Sequence, residues 1–353
     1  MRGETVLDLG QEDRPSIAPF FDWLLGPVRM ALLDAAITLG IADILAEAGD
    51  PDEIAARLKT HPGNTRHFLD ALAALGLAAK RRGRYANTPL ASRYLRRESP
   101  TYMGGLVENL KRIQHRNLPR LMELLESGPP PVAREDRLDG DAQWKRSARD
   151  LACYQRAGMA ELAADIVASL PESPKLRRML DFGGGPGIIG LGILTRFPVM
   201  RGALADLPAV IEVAREEIET AGMAGRVELY PGDYNTASFG SGYDLVWASH
   251  NLYYAKDLEG LLARILDALH PGGVFISFHE GLTGEHTKPP FYVLSRVSLA
   301  LEGQDVSFEA GEIASAALAA GFLSIETRIR DTPMGEVRVD ILRKAGSLGE
   351  TAA

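Results

Sequence analysis

The chain has one cysteine, Cys153, in 353 residues. An internal disulfide is therefore excluded, and the expectation is a reducing, cytoplasmic setting. No apolar run approaches the ~20 residues of a membrane-spanning helix. The opening "MRGETVLDLGQEDRP" also lacks the apolar core of a secretory signal. Basic residues are outnumbered, 39 Lys and Arg against 47 Asp and Glu, for a net charge of −8. That balance argues against a general polyanion binder, which needs clustered cations. The hydrophobic fraction of 46% is ample for a packed core. The length suggests two domains.

The rhythm of the chain changes near its middle. Residues 27–79 read as short amphipathic helices. "PVRMALLDAAITLGIADILAEAG" has helical apolar spacing and ends on Gly49. "PDEIAARL" starts on Pro51, with acids in its first turn. "NTRHFLDALAALGLA" is a third helix, with Asn64 or Thr65 as cap. "AKRRGRYANT" reads as a hairpin around Gly83. Helices followed by a hairpin make a winged-helix pattern, which serves either DNA binding or dimerisation; the acidic chain favours dimerisation. A Pro- and Gly-rich loop, "SGPPPVAREDRLDGD", separates helices expected at 100–126 and 142–169.

From about residue 176, strands and helices alternate. "LRRMLDFGG", "RGALADL", "RVELYPGD", "YDLVWAS", "GGVFISFHE", "LSIETRIRD" and "EVRVDILRK" are the strands. "IIGLGILTRF", "PAVIEVAREEIETAG", "LEGLLARILDAL" and "AGEIASAALAAGF" are helices. Alternation predicts an α/β fold with a mostly parallel, doubly wound sheet, the last strand inserting antiparallel. The expected division is a helical dimerisation domain at 1–100, a helical linker and acceptor segment at 101–170, a Rossmann-like catalytic domain at 171–346 and a disordered tail at 347–353.

Chemistry concentrates at strand ends. "LDFGGGPGIIG" sets Gly183, Gly184, Gly185 and Gly187 between a strand and a helix, where a ligand can approach the backbone closely. A G-x-G-x-x-G at Gly185, Gly187 and Gly190 leaves a dinucleotide open, with Asp206 suited to ribose hydroxyls. Asp181 and Asp233 turn the balance toward S-adenosylmethionine (SAM), whose ammonium, sulfonium and adenine amine suit an acidic site.

In order, "LDFGGGPG", "ADLPAV", "PGDY", "YDLVWASHNLYY" and "HPGGVFIS" resemble the class I SAM-dependent methyltransferases of the dimeric O-methyltransferase type, which include caffeate and hydroxyindole methyltransferases. "YANTPLASRYL" resembles the segment that closes that family's dimerisation domain. The resemblance implies a homodimer acting on a small molecule, without nucleic acid or membrane. It implies SAM contacts from Asp181, Gly183, Gly184, Gly185, Gly187 and Ser249. Asp206 and Leu207 would meet the ribose, and Asp233 and Tyr234 the adenine.

One stretch departs from the pattern. Where the family carries a catalytic histidine, "ASHNLYYAKD" aligns Tyr253. A tyrosine, with an ordinary pKa near ~10, is a poor base at neutral pH. His250, three residues earlier, could be brought near by helical spacing but reads more readily as a structural strand-end histidine, and His279 or Glu280 are other candidate bases. A missing base suggests an acceptor that loses no proton, such as a thioether, with the rings of Tyr253 and Tyr254 near its sulfonium. On this ground, and on "HEGLTGEHTKPP" and "LEGQDVSFEAGEI", the chain is also similar to bacterial S-methyltransferases of 4-methylthio-2-hydroxybutyrate in dimethylsulfoniopropionate synthesis. Such an acceptor would need a carboxylate receptor, expected among Arg112, Gln114, His115, Tyr154, Gln155 and Arg156. The spacing of His279, Glu280 and His286 is not that of a zinc helix, so no metal is expected.

Overall fold

The computed structural model describes residues 16–130, 141–304 and 306–346. The chain forms two compact units, Met1–Tyr102 and Met103–Ala353. The expected tail at 347–353 and most of the Pro-rich loop lie outside the described residues.

The first unit contains α1 (Ala18–Leu39), α2 (Ile41–Glu47), α3 (Pro51–Leu58), α4 (Pro62–Ala74), a hairpin of β1 (Ala78–Arg81) and β2 (Arg84–Asn87), and α5 (Pro89–Tyr94). The single helix expected from Pro27 to Gly49 is instead two. Gly40 adopts φ 61°, a left-handed conformation open to glycine, and ends α1. α1 also runs back through Pro27 to Ala18, at the loss of one ladder bond. α4 is capped not by Asn64 or Thr65 but by His61, whose Nδ1 accepts the Asn64 N–H at 3.3 Å. Ile41, Leu45, Ile54, Leu69, Leu72 and Tyr85 form the core. Two of the hairpin's four cations are engaged. Lys80 pairs with Asp70 at 2.5 Å and Arg84 with Asp50 at 3.9 Å.

The second unit opens with α6 (Gly104–Gln114), α7 (Leu121–Ser127), α8 (Asp141–Tyr154) and α9 (Ala160–Ala168). The helix expected over 142–169 is broken by a wide turn at Gln155–Met159, where Gly158 takes φ 130°. A sheet follows: β3 (Arg178–Phe182), α10 (Ile188–Arg196), β4 (Arg201–Asp206), α11 (Pro208–Thr220), β5 (Val227–Pro231), β6 (Tyr243–Ser249), α12 (Leu258–Ala268), β7 (Leu269–His279), α13 (Pro290–Ala300), α14 (Glu312–Ala319), β8 (Ser324–Thr332) and β9 (Gly335–Arg343).

The seven strands run in the order β5-β4-β3-β6-β7-β9-β8. All neighbours up to β7 are parallel, and β9 inserts antiparallel between β7 and β8. Parallel strands buried on both faces need apolar runs, which "LVWA" supplies unbroken and "RMLDF" supplies around Arg178 and Asp181. The expected fold class is the one observed. Sequence periodicity gave no warning of α13, which follows a loop of glycines and prolines. The strand order reverses between β3 and β6, so a ligand crevice is expected at their carboxyl ends.

Candidate active site

Two segments meet at that crevice. After β3 the glycine loop turns sharply, with φ 59° at Gly183, 60° at Gly185 and 78° at Gly187. After β6 comes the stretch from His250 to Tyr254. Asn251 ties the two together, its buried Nδ2 donating to the Phe182 carbonyl. A Cβ at Gly183 would overlap that amide. A Cβ at Gly185 would meet no atom within 4 Å, so one side of the loop faces open space.

Three carboxylates stand at or beside the ends of β3, β4 and β5, and their partners differ. Asp181 is buried beneath it, accepting the Gly190 N–H at 3.0 Å. Burial, countered by that amide, pushes its carboxyl up to about 7. The structure thus gives Asp181 a role in holding the loop from below, where the sequence suggested direct contact with a cationic ligand. Asp206, at the end of β4, accepts the N–H groups of Gly185 at 2.8 Å and Leu207 at 2.7 Å. Burial raises it to about 6 against those two bonds. Asp233 accepts the backbone and side-chain N–H of Asn235, at 2.9 and 2.8 Å. Burial pushes it up, but these bonds and Lys256 outweigh burial and lower it overall. Beside it, the Tyr234 hydroxyl donates to the Asn251 carbonyl at 2.7 Å, its ring 4.9 Å from Phe182. Ser249 closes β6.

The second segment holds an acid–base cluster. His250 has φ 50°, outside the regions favoured by residues with a side chain. Its Nδ1 lies 2.9 Å from Oε2 of Glu280, whose side chain is fully buried. Nε2 of His250 makes no hydrogen bond among the described residues, and the side chain remains 25% exposed. The Tyr253 hydroxyl donates to the same Glu280 oxygen, and Arg296 from α13 pairs with Oε1. Burial alone would push the Glu280 carboxyl up; His250, Arg296 and Tyr253 outweigh it and hold it at about 2.

This geometry corrects the reading of "ASHNLYYAKD". Tyr253 stands over an anion, and burial together with Glu280 drives its hydroxyl well above its ordinary range. The imidazole presented at the strand end is His250. His279 is engaged elsewhere. Its Nε2 accepts the N–H groups of Asn251 and Leu252 at 3.1 and 3.2 Å, and its Nδ1 meets Ser277 Oγ at 2.9 Å. Burial lowers it to about 3, so it stays neutral as a structural acceptor. His286 pairs with Glu309 at 2.5 Å.

The expected carboxylate receptors are dispersed. Arg112 bonds to Asn109 at 2.5 Å and to Gln143. Arg156 is drawn to Glu217 on α11. Gln114 and His115 end α6, with His115 exposed. Burial pushes the Tyr154 hydroxyl up to about 12, and the Gln155 side-chain oxygen is buried without a partner among the described residues. Tyr254 packs edge-on against Trp144, ring centres 4.8 Å apart. Sequence reasoning did not mark Asn251, Arg296, Tyr292 or Trp144; nothing in their local pattern sets them apart.

A model of the O-methyltransferase dimerisation domain matches residues 21–97, and one of the O-methyltransferase domain matches 148–322. The chain is 33% identical, over 263 residues, to a 3-hydroxy-5-methyl-1-naphthoate 3-O-methyltransferase of Streptomyces sahachiroi, covering 72% of this chain and 74% of the relative. The chain belongs to the O-methyltransferase family. As a member it is a SAM-dependent methyltransferase. An N,N-dimethyltransferase of Streptomyces rimosus is 28% identical over 86% of this chain and 90% of its own. The fold matches human N-acetylserotonin methyltransferase, solved with SAM, at a TM-score of 0.77 and 20% identity, over 96% of this chain and 100% of that one. The residues of this methyltransferase fit such a cofactor: an open side at Gly185 and a carboxylate at the β4 end, beside the switch point.

Proposed function

We propose that the enzyme methylates a hydroxyl group on a small aromatic molecule, with His250 as the general base. The observation that carries this reading is the His250–Glu280 pair. The buried carboxylate holds Nδ1 and leaves Nε2 without a hydrogen bond among the described residues, on a side chain that stays 25% exposed. An imidazole so oriented can take a hydroxyl proton as the oxygen attacks, a task worth roughly 10²–10⁴-fold in rate.

SAM, when bound, supplies a methyl group on a cationic sulfur. Gly183, Gly184, Gly185 and Gly187 line its amino-acid end, Asp206 and Leu207 take the ribose hydroxyls, and Asp233 and Tyr234 frame the adenine. Ser249 lies at the carboxyl end of β6, on the crevice side of the sheet's switch point. Asp181 contributes by fixing the loop. Tyr254, Trp144 and Tyr253 offer apolar ring surface to an acceptor, consistent with the naphthoate named for one relative.

A thioether acceptor was motivated by a missing base, and His250 removes that motive. Arg112 and Arg156, the cations suited to a small hydroxy acid, are already engaged. The test is turnover of labelled SAM with phenols, amines and methylthio acids. Phenol turnover that collapses in His250→Asn supports the reading. Turnover of the methylthio acid alone, at wild-type rate in that variant, overturns it.

The dimerisation domain supports a homodimer. Phe20, Phe21, Trp23 and Leu24 of α1 are each at least 60% exposed. We propose that this apolar face meets a second copy, as a contiguous patch of that kind marks an interface.

A further inference from the structure

Glu280 has more partners than an acid–base pair requires. His250 and Tyr253 share its Oε2, while Arg296 takes Oε1. The guanidinium is itself held. Its carbon lies 4.9 Å from the ring centre of Tyr253 and 5.3 Å from that of Tyr292, and Nη1 donates to Ser307 Oγ at 3.2 Å. Only 14% of the Arg296 side chain is exposed.

We propose that Arg296, seated between Tyr253 and Tyr292, is a positioning residue that neutralises Glu280 and so keeps His250 unprotonated and ready to accept a proton. The inference rests on the reading of His250 as the base. A buried carboxylate held by an imidazole alone favours the imidazolium, which cannot act as a base. With Arg296 in place, the cluster of Arg296, Glu280 and neutral His250 has no net charge, and another proton would leave an uncompensated cation. Tyr253 assists by donating to Oε2, which divides that oxygen between two partners and fixes the carboxylate's rotamer.

Among the described residues, the titratable and charged groups facing His250 are few. His279 and Glu280 come from β7 and its end, Tyr253 from the turn after β6, and Tyr292 and Arg296 from α13. His279 is neutral, and burial raises both tyrosines. The charged groups that bear on His250 are therefore Glu280, which it contacts directly, and Arg296, which pairs with that carboxylate.

The experiment is the pH profile of kcat/KM with a phenolic acceptor, for wild type, Arg296→Met, Arg296→Lys and Tyr253→Phe. Loss of a compensating charge at this range should move the acidic limb of Arg296→Met upward by about one pH unit or more. Activity then falls about tenfold at the foot of the limb and recovers at alkaline pH. Arg296→Lys, which keeps the charge, restores much of the wild-type limb. Tyr253→Phe moves the limb the same way by less. A loss in Arg296→Met that is uniform across pH, or an unmoved limb, overturns the proposal. Should Arg296→Met fail to fold, the limb of Tyr253→Phe decides, and no shift there overturns it. His250→Asn separates the two ideas: full activity in that variant sinks the base itself, whereas a dead His250→Asn with unmoved limbs elsewhere sinks only the role of Arg296.

Discussion

His250 Nδ1 and Glu280 Oε2 lie 2.9 Å apart, joining the end of β6 to the residue that follows β7. The carboxylate is buried and the imidazole is partly open, so the pair has an anchored side and a working side. The strand ends of the sheet bring these two residues together across 30 positions of sequence.

Replacement of His250 by Asn should lower kcat with a phenolic acceptor by roughly 10²–10⁴-fold. SAM affinity should change little, because among the described residues the hydrogen bonds of the His250 ring go to Tyr253 and Glu280 and to none of Asp181, Asp206 and Asp233. Single-turnover rates and calorimetry on the same preparation check both halves.

Asp206→Ala should weaken SAM binding by roughly 1.5–3 kcal/mol for each charge-assisted bond lost. The Gly185 and Leu207 amides would also lose their acceptor. Calorimetric affinity equal to wild type would remove Asp206 from the ribose site.

Two glycine substitutions should behave differently. Gly183→Ala drives a methyl into the Asn251 amide and should lower the melting temperature of the free protein. Gly185→Ala meets open space. It should cost only about 1–2 kcal/mol of left-handed strain, yet reduce SAM affinity at least as strongly, because the methyl would fill cofactor space. Retained affinity in a folded Gly185→Ala would count against that placement.

The buried groups predict opposite pH trends in stability. His279 is held at about 3 in the folded chain, below its ordinary 6.5. Its contribution is complete above 6.5 and is lost as pH falls toward 3, at up to 1.4 kcal/mol per pH unit. Asp181 is raised from 3.8 to about 7, so its contribution is complete below 3.8 and is lost as pH rises toward 7. Relative to wild type, His279→Gln should therefore gain stability as pH falls from 6.5, and Asp181→Asn should gain it as pH rises from 4 to 7. Denaturant melts across pH 4–8 measure both differences; parallel curves would contradict the assignments.

Phe20→Ser with Trp23→Ser should turn a dimer into a monomer, because both rings lie on the exposed face of α1. Light scattering at micromolar concentration reports the change, and a wild-type monomer would end the argument.

Much of the fold was legible in the sequence because its signals are local. Continuous apolar strands, glycines after "LDF" and alternating helices specify a doubly wound parallel sheet without any long-range information. The same locality marked Gly183, Gly185 and Asp206, which sit at fixed offsets from strand ends. Helix breaks at Gly40 and Gly158 were less visible, since a glycine in an apolar helical pattern reads equally well as tolerated or as a stop. The proposed base could not be read locally. Tyr253 and His250 are three residues apart on one turn, and their roles differ only because Glu280 and Arg296 reach them from β7 and α13. Burial then separated the two histidines, making His279 a neutral acceptor for two backbone amides and leaving His250 with a nitrogen that is unbonded among the described residues. Which side chain holds a proton depends on what surrounds it in space, and only the packing of distant elements supplies those surroundings.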